Sequence, residues 1–433
     1  MATDKSQKTI RVHHVTRLEG HGDITAEIKD GILQQVRFSV VEAPRFFEAF
    51  LRGHHHAEVV HMASRVCGIC AVSHKCAALK ATETALEVTV SRQTELLRRL
   101  AYHGEILSSH VLHIYFLAGP DFFGVPSIFP LVEQHREMIR RAMRLKKLGY
   151  DLSAVVAGRH THPISMVVGG FTFTHQTKIL AGMKDRIHEG LEDLRLTVRT
   201  LQGIDLPDLE RESEYVSLTH PDRYAFYDGD ILSSDLEKTV SPDRYREVIE
   251  EYVVDYSTAK YARWNRPEYM TGALARFNNN YRQLTDGAKT AADDLGLKHP
   301  CHKPFMNTIA QIVECVHCLE DALKILETLL EKGIQSGKEH ERVEDRAGRG
   351  VGAVEAPRGI LFHEYEYDDD GKCLSANMVI PTAQNLANLE ADMRAYIPVI
   401  AGEPRETIVH RLEMLVRAYD PCISCSTHVL DCR

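Results

Sequence analysis

Apolar positions recur at helical spacing along most of the chain. Ile309, Ile312, Val313, Val316, Leu319, Leu323, Leu326 and Leu330 form one stripe and predict a long helix over Met306–Ile334. Ile187, Leu191, Leu194, Val198 and Leu201 repeat the pattern over Leu180–Leu201. Ala77–Val88 and Thr94–Leu117 read as helices, the second stopped by Gly119-Pro120-Asp121. Leu131–Leu148 is amphipathic and is predicted to end at Gly149. Tyr245–Ala262, Leu386–Tyr396 and Arg405–Ala418 read as further helices. Strands are predicted at Thr9–Leu18, then at Gly22–Ile28 and Ile32–Val41, which flank Asp30-Gly31, a two-residue hairpin turn. Ile360–Tyr367 and Leu374–Ile380 face each other across Asp368-Asp369-Asp370-Gly371. Leu206–Pro242 is polar and turn-rich, and Tyr224–Leu232, with its Asp228-Gly229 turn, suggests a small hairpin outside the main core. The expectation is a mainly α fold with peripheral β-hairpins (α+β) around long central helices. It is read as one domain over 1–433, with a β-hairpin region at about 8–50 and a hairpin excursion at about 206–242.

Composition narrows the classes. A chain of 433 residues, 44% hydrophobic, can bury a large core, and a net charge of −9 argues against a nucleic-acid binder. Arg140-Arg141 and Lys146-Lys147 lie in a helical pattern and read as a solvated face. No apolar run reaches the ~18–20 residues of a membrane span. Met1–Lys8 is polar and lacks the apolar core of a secretory signal, so the expected location is cytoplasmic.

Ten cysteines are sparse for this length, which argues against a disulfide scaffold. Four of them form two C-x-x-C pairs, Cys67/Cys70 and Cys422/Cys425, whose first members lie 355 positions apart. A zinc ribbon repeats its pair after about 15–20 residues. A site shared by these pairs would be closed by the whole fold, with its metal inside. Four thiolates suit zinc, iron–sulfur, iron or nickel, and a structural zinc stays open at this point. His74 lies four residues after Cys70 and His428 three after Cys425. Arg65, two before Cys67, is expected to place a cation near the thiolates, and Asp420-Pro421 to stiffen the approach to the second pair.

Other chemistry-bearing residues read more plainly. Cys315 and Cys318, at i and i+3 on the longest helix, are expected to be small core residues. His54-His55-His56 reads as a solvated polar turn, because consecutive side chains point in different directions. His160 and His162 read as structural. Glu19 and Glu42 stand at strand ends beside Gly or Pro, where a turn can aim a carboxylate inward, although composition alone makes them surface residues.

Arg65-x-Cys67-Gly68-x-Cys70-x-x-x-His74 and Asp420-Pro421-Cys422-x-x-Cys425-x-x-His428 resemble the two signatures of the large subunit of nickel–iron hydrogenases. The resemblance runs from Thr16 to His428. It implies that Cys67 and Cys422 are terminal nickel ligands, and that Cys70 and Cys425 bridge nickel to an iron carrying CO and two cyanides. It further implies that His74 hydrogen-bonds a bridging sulfur. Arg358 would hang over the open metal face, with Pro357, Asp420 and Asp121 forming the rest of the canopy. Thr382, in Pro-Thr-x-x-Asn, would donate to a cyanide, and Gln384 stands where many members have tryptophan. A third metal, magnesium (or iron), would be held by Glu42, His428 and a backbone carbonyl near Met378, with waters.

The implied activity is reversible heterolytic cleavage of H2. Cys422 would pass a proton to Glu19, since a buried glutamate trades protons near neutrality. None of the six remaining cysteines forms a cluster motif, so electrons would leave through an iron–sulfur small subunit. The segment Val41-Glu42-Ala43-Pro44-Arg45-Phe46-Phe47-Glu48 and the short length resemble the NAD(P)-linked, sulfhydrogenase-containing branch, which implies flavin/NAD(P) diaphorase subunits. The tail 429–433 resembles one that a maturation endopeptidase removes once chaperones have inserted nickel; Cys432 reads as incidental within it. Two other readings stay open: a non-enzymatic hydrogenase-like subunit of a larger redox complex, and a structural four-cysteine zinc protein.

Overall fold

In the computed structural model, which describes residues 7–29, 32–335 and 343–427, the apolar stripes become helices. They are α1 (His56–Ala63), α2 (Ala71–Ala85), α3 (Arg92–Leu112), α4 (Arg136–Ala157), α5 (Thr177–Leu201), α6 (Asn307–Lys332), α7 (Pro381–Ile400) and α8 (Arg405–Ala418). Small sheets surround them. β1 (Gln7–Val12), β2 (Gly22–Lys29) and β3 (Ile32–Val40) form an antiparallel meander at the N-terminus. β4 (Glu214–Thr219) pairs with β5 (Asp230–Ser233), and Tyr269–Met270 adds to β4 in parallel. β6 (Gly348–Ala356), β7 (Gly359–Tyr367) and β8 (Cys373–Val379) form a third sheet. One contiguous apolar core takes side chains from Ile10 to Cys425, so both ends of the chain enter it. The mainly helical expectation with peripheral hairpins holds. Asp30-Gly31 lies outside the described residues.

Glycines decide how the layers meet. The helix expected to stop at Gly149 runs on to Ala157 and ends at Gly158, whose φ is 75°. Gly149 is a crossing point instead: a Cβ there would lie 2.6 Å from the Gly104 carbonyl on α3. Bare backbone on both helices lets α3 and α4 pack at close range. Gly348, Gly350 and Gly352 do the same for β6, facing the carbonyls of Ala85, Ala81 and Ala77 along α2. α3 itself widens into a π-helical turn, His113–Ala118, before Pro120. Arg17 Nη1 takes the Leu117 carbonyl there at 2.6 Å.

Three further expectations are corrected. Tyr245–Ala262 is not a helix: Pro242–Glu247 is a short 3₁₀ turn, and Glu250–Tyr252 pairs with Tyr261–Arg263. Its β-branched and aromatic residues fit a pleated pair better than a helix. The hairpin of the 206–242 excursion joins β4 to β5, earlier than Tyr224–Leu232, and is not outside the core. Val216, Leu218 and Ile231 pack with Val351, Ile360 and Phe362 in a second apolar cluster. Arg141 is not on a solvated face; it is buried and bonds Thr200 at 3.0 Å.

Candidate metal centre

Cys67 ends a turn that leaves α1, and Cys70 stands just before α2. The backbone N–H groups of Ile69 and Cys70 donate to Cys67 Sγ at 3.3 and 3.2 Å. Glu105, from α3, caps α2 across space by accepting from the amides of Val72 at 2.5 Å and Ser73 at 2.9 Å. Burial pushes its carboxyl up to about 8, against those hydrogen bonds. The second pair follows Asp420, whose φ of 50° turns the chain sharply after α8. Cys422 N–H donates to Thr382 Oγ1 at 2.9 Å, and Ile423 N–H to the Glu19 carbonyl at 2.9 Å.

Folding brings the four cysteines together. Their sulfurs all lie within 4.8 Å of one another, and all four residues are buried. Cys67 and Cys422 Sγ are 3.5 Å apart, Cys70 and Cys425 4.0 Å, Cys422 and Cys425 2.9 Å. Hydrogen bonds from Cys422, Cys425 and Cys70 pull the Cys67 thiol well below its ordinary value, while burial pushes Cys425 well above it. The protein alone cannot hold four thiolates in so dry a place; a cation is the missing charge. Four sulfurs with no imidazole among them fit nickel and iron. Thr382 Oγ1 accepts from Cys422 and so keeps its own hydrogen for donation.

Arg358 is buried and donates to the Asp420 carbonyl at 3.0 Å, to Asp420 Oδ1 at 2.8 Å and to Ser109 Oγ at 2.6 Å. Burial works against its charge, but Asp420, Cys422 and Cys70 outweigh it and hold the guanidinium protonated. Gln311 takes the other Asp420 oxygen at 2.9 Å. Asp121 does not partner Arg358. It is bound by Arg17 and, at 2.7 Å, by the buried Arg417. Arg65 is a correction too: it is exposed and reaches back to His61 Nε2 at 3.2 Å, so Arg358 is the cation beside the thiols. Gln384 is buried and bridges the Ile360 carbonyl and the Tyr269 hydroxyl at 2.7 and 2.9 Å.

Glu19 is half-buried rather than buried and holds Ser424, inside the second pair, by its N–H at 3.0 Å and by its hydroxyl. Glu42 has its carboxylate beside Gly20, where a Cβ would lie 3.0 Å from Oε1 and 2.5 Å from Ile423 Cβ. Its Oε1 is 3.0 Å from His21 Nδ1. Met378 is buried opposite His363 across β7 and β8, its N–H donating to Glu48 at 2.7 Å. His428, Cys432 and the tail 429–433 lie outside the described residues. His162 binds the Ser64 carbonyl at 2.8 Å and His160 stacks on Tyr150, both as structural groups. Cys315 and Cys318 are core residues.

Several residues that set this geometry carry little or no signature in the sequence. Arg45 ties the two cysteine loops together, donating to the carbonyls of Val66 at 2.7 Å and Ser424 at 3.4 Å. Arg276 is fully buried and carries the loop of Arg358, donating to the carbonyls of Ala356 at 2.9 Å and Pro357 at 3.1 Å. His363 binds His74, Nε2 to Nδ1, at 2.9 Å. The only sequence signal for any of these was Arg45's place in Val-Glu-Ala-Pro-Arg.

The family model for nickel-dependent hydrogenases matches residues 45–143 and 200–428, and a model described as HoxL-like matches 9–43. The chain is 35% identical to sulfhydrogenase 1 subunit alpha of Pyrococcus furiosus, over 97% of this chain and 98% of that one. It is 28% identical to the NAD-reducing hydrogenase HoxS subunit beta of Cupriavidus necator, over 96% of this chain and 94% of that one. A crystal structure of an NAD+-reducing NiFe hydrogenase in its H2-reduced state has a TM-score of 0.88 at 28% identity, covering 98% of this chain and 100% of that one. The Ni-Fe-Se hydrogenase of D. vulgaris Hildenborough, at 22% identity and a TM-score of 0.77, shares the fold. With its four converging thiols at the place those matches span, the chain belongs to the nickel-dependent hydrogenase family, as a large subunit.

Proposed function

We propose that this chain is the catalytic subunit of an NAD(P)-linked nickel–iron hydrogenase and splits H2 reversibly into two protons and two electrons. The observation that carries the reading is the set of four buried thiols, Cys67, Cys70, Cys422 and Cys425, beside the paired Arg358 and Asp420. When bound, nickel and an iron with CO and two cyanides supply the polarisation that lets H2 split heterolytically.

The chain's own residues do the rest. Cys67 and Cys422 would hold nickel, and Cys70 and Cys425 would hold nickel together with iron. Arg358, fixed by Asp420 and Ser109, presents a permanent cation to the open face and excludes water from it. Pro357 would shape that face, and Thr382, whose oxygen accepts from Cys422, would donate its hydroxyl hydrogen to a cyanide. Cys422 takes the proton and Glu19, joined to Ser424, carries it outward. Glu42, His428 and a carbonyl near Met378 would hold magnesium or iron. Electrons pass to an iron–sulfur small subunit and on to flavin/NAD(P) diaphorase subunits. The whole chain acts as one domain in the cytoplasm, and its tail 429–433 is removed by a maturation endopeptidase after nickel insertion.

Infrared spectroscopy with metal analysis on protein from its own host tests this. Sharp CO and cyanide bands with one nickel per chain are expected; zinc alone, in protein shown to be mature, sinks the reading. Glu19→Gln should abolish turnover in both directions and leave those bands in place. Undiminished turnover in that variant removes Glu19 from the proton path.

A further inference from the structure

The histidine tract at 54–56 is not the solvated turn its composition suggests. His55 caps the N-terminus of α1, and its Nε2 lies 2.8 Å from Asp345 Oδ1. His56 Nε2 lies 3.1 Å from the same oxygen. Asp345 comes from the strand approach to β6, 290 positions later. The two rings, consecutive in sequence, sit with centroids 4.0 Å apart and turn the same nitrogen toward one carboxylate.

We propose that His55, His56 and Asp345 form a binding site for a late first-row divalent cation, of the zinc, cobalt, nickel or copper class, separate from the four-cysteine centre. The three donor atoms all lie within 4.8 Å of one another. A tetrahedral ion with bonds of ~2.0–2.1 Å sets its donors about 3.3 Å apart. The separations of 2.8 and 3.1 Å need to open by only a few tenths of an ångström. Two imidazoles and one carboxylate favour this class over calcium or magnesium, which take oxygen.

The surroundings are built for it. The His56 side chain is 7% exposed, while those of His55 and Asp345 are 39% and 46% exposed, so one face is walled and one is open to a water ligand. Gly371, at φ 68°, floors the cluster: its carbonyl accepts the His56 N–H at 2.8 Å. A Cβ at Gly371 would lie 2.7 Å from Asp345 Oδ1 and 3.0 Å from His56 Cδ2, filling the space an ion needs.

Binding requires each ring to carry its proton on Nδ1. His56 Nδ1 is buried with no hydrogen-bond partner, so that shift breaks nothing there. His55 gives up its capping contacts with the first turn of α1, of which the one from the Ala57 N–H is 3.4 Å long. Burial already lowers His56, which keeps the ring neutral and available. An ion here would staple the start of α1 to the approach to β6, at the end of α1 opposite the one that leads to Cys67.

The test uses the intact hydrogenase complex, stripped of loose metal with a chelator and titrated with Co2+. The visible absorption of tetrahedral cobalt and metal analysis are read together. One equivalent of Co2+ with the tetrahedral absorption, beyond the metals of the cysteine centre and of the Glu42 site, is expected, displaced by Zn2+ and bound ~10–100-fold more weakly, or not at all, in His56→Ala and Asp345→Ala. H2 turnover should be unchanged in both variants. Asp345 is largely solvent-facing, so its variant stands if His56→Ala fails to fold. No extra equivalent in the parent complex, or an equivalent that Asp345→Ala retains, overturns the proposal and leaves a hydrogen-bonded clamp.

Discussion

His74 Nδ1 and His363 Nε2 share one hydrogen bond of 2.9 Å, and Tyr365 Oη closes the chain 2.5 Å from His363 Nδ1. Burial holds His74 down to about 4 and pushes Tyr365 well above its ordinary value, so the first is neutral and the second keeps its hydrogen. Tyr365 then donates to His363, His363 donates to His74, and the His74 proton is left on Nε2. Tyr365→Phe removes the donor that starts the chain. We expect the CO and cyanide bands to shift and turnover to fall ~10-fold, with nickel and iron content unchanged. Bands that stay in place would mean His74 keeps its tautomer without Tyr365.

Arg276 is sandwiched between Glu314, at 2.6 and 2.7 Å, and Glu355, at 2.9 Å, with all three fully buried. Arg276→Met strands two buried carboxylates and should cost about 3–5 kcal/mol in denaturant unfolding. The pH dependence gives the mechanism. Burial alone would raise Glu314, but Arg276 and His110 bring it to about 2, below its ordinary 4.5. That stability is fully present above pH 4.5 and is lost as pH falls toward 2. In the variant Glu314 loses its main cation, so the deficit should be largest near pH 7 and shrink toward pH 4. A deficit independent of pH would assign the loss to packing.

The α3–α4 crossing makes a separate prediction. Gly149→Val places a side chain against the Gly104 carbonyl and the Ser108 N–H, 2.6 and 2.8 Å from an added Cβ. Both are backbone and cannot swing away, so thermal stability should fall by an equivalent of ~1–3 kcal/mol. Gly402→Ala meets nothing within 4 Å and serves as the neutral control. Equal melting temperatures in the two variants would contradict the close crossing.

Arg45 should matter for metal retention more than for folding. Its guanidinium joins one loop of each cysteine pair, and its N–H donates to the Thr427 carbonyl at 3.1 Å. Arg45→Ala is expected to lose nickel ~10-fold faster under dialysis against chelator, with an unchanged circular dichroism spectrum. Retention equal to the parent would show that the two loops are held by the core alone.

The long stripes of α5 and α6 were legible because a helix's own period decides which side is apolar. So were the two cysteine pairs, whose fixed short spacing is a local property. Tyr245–Ala262 was misread because a short apolar run fits either period, and partner strands decide it. Gly149 was misread because a glycine that ends a helix and one that lets another helix approach look alike until the neighbour is in place.

The sequence by itself determined the ligand types, their order and the helical frame, since these rest on residue chemistry and on contacts within a few positions. Only the tertiary structure decided which groups face which across hundreds of residues. It gave Asp420 to Arg358 and Asp121 to Arg417, turned Arg65 outward, and set His363 on His74 and Asp345 on His55 and His56. Such pairings depend on how layers cross and on which buried charge finds a partner. That energy exists only once the whole core has closed and water has left.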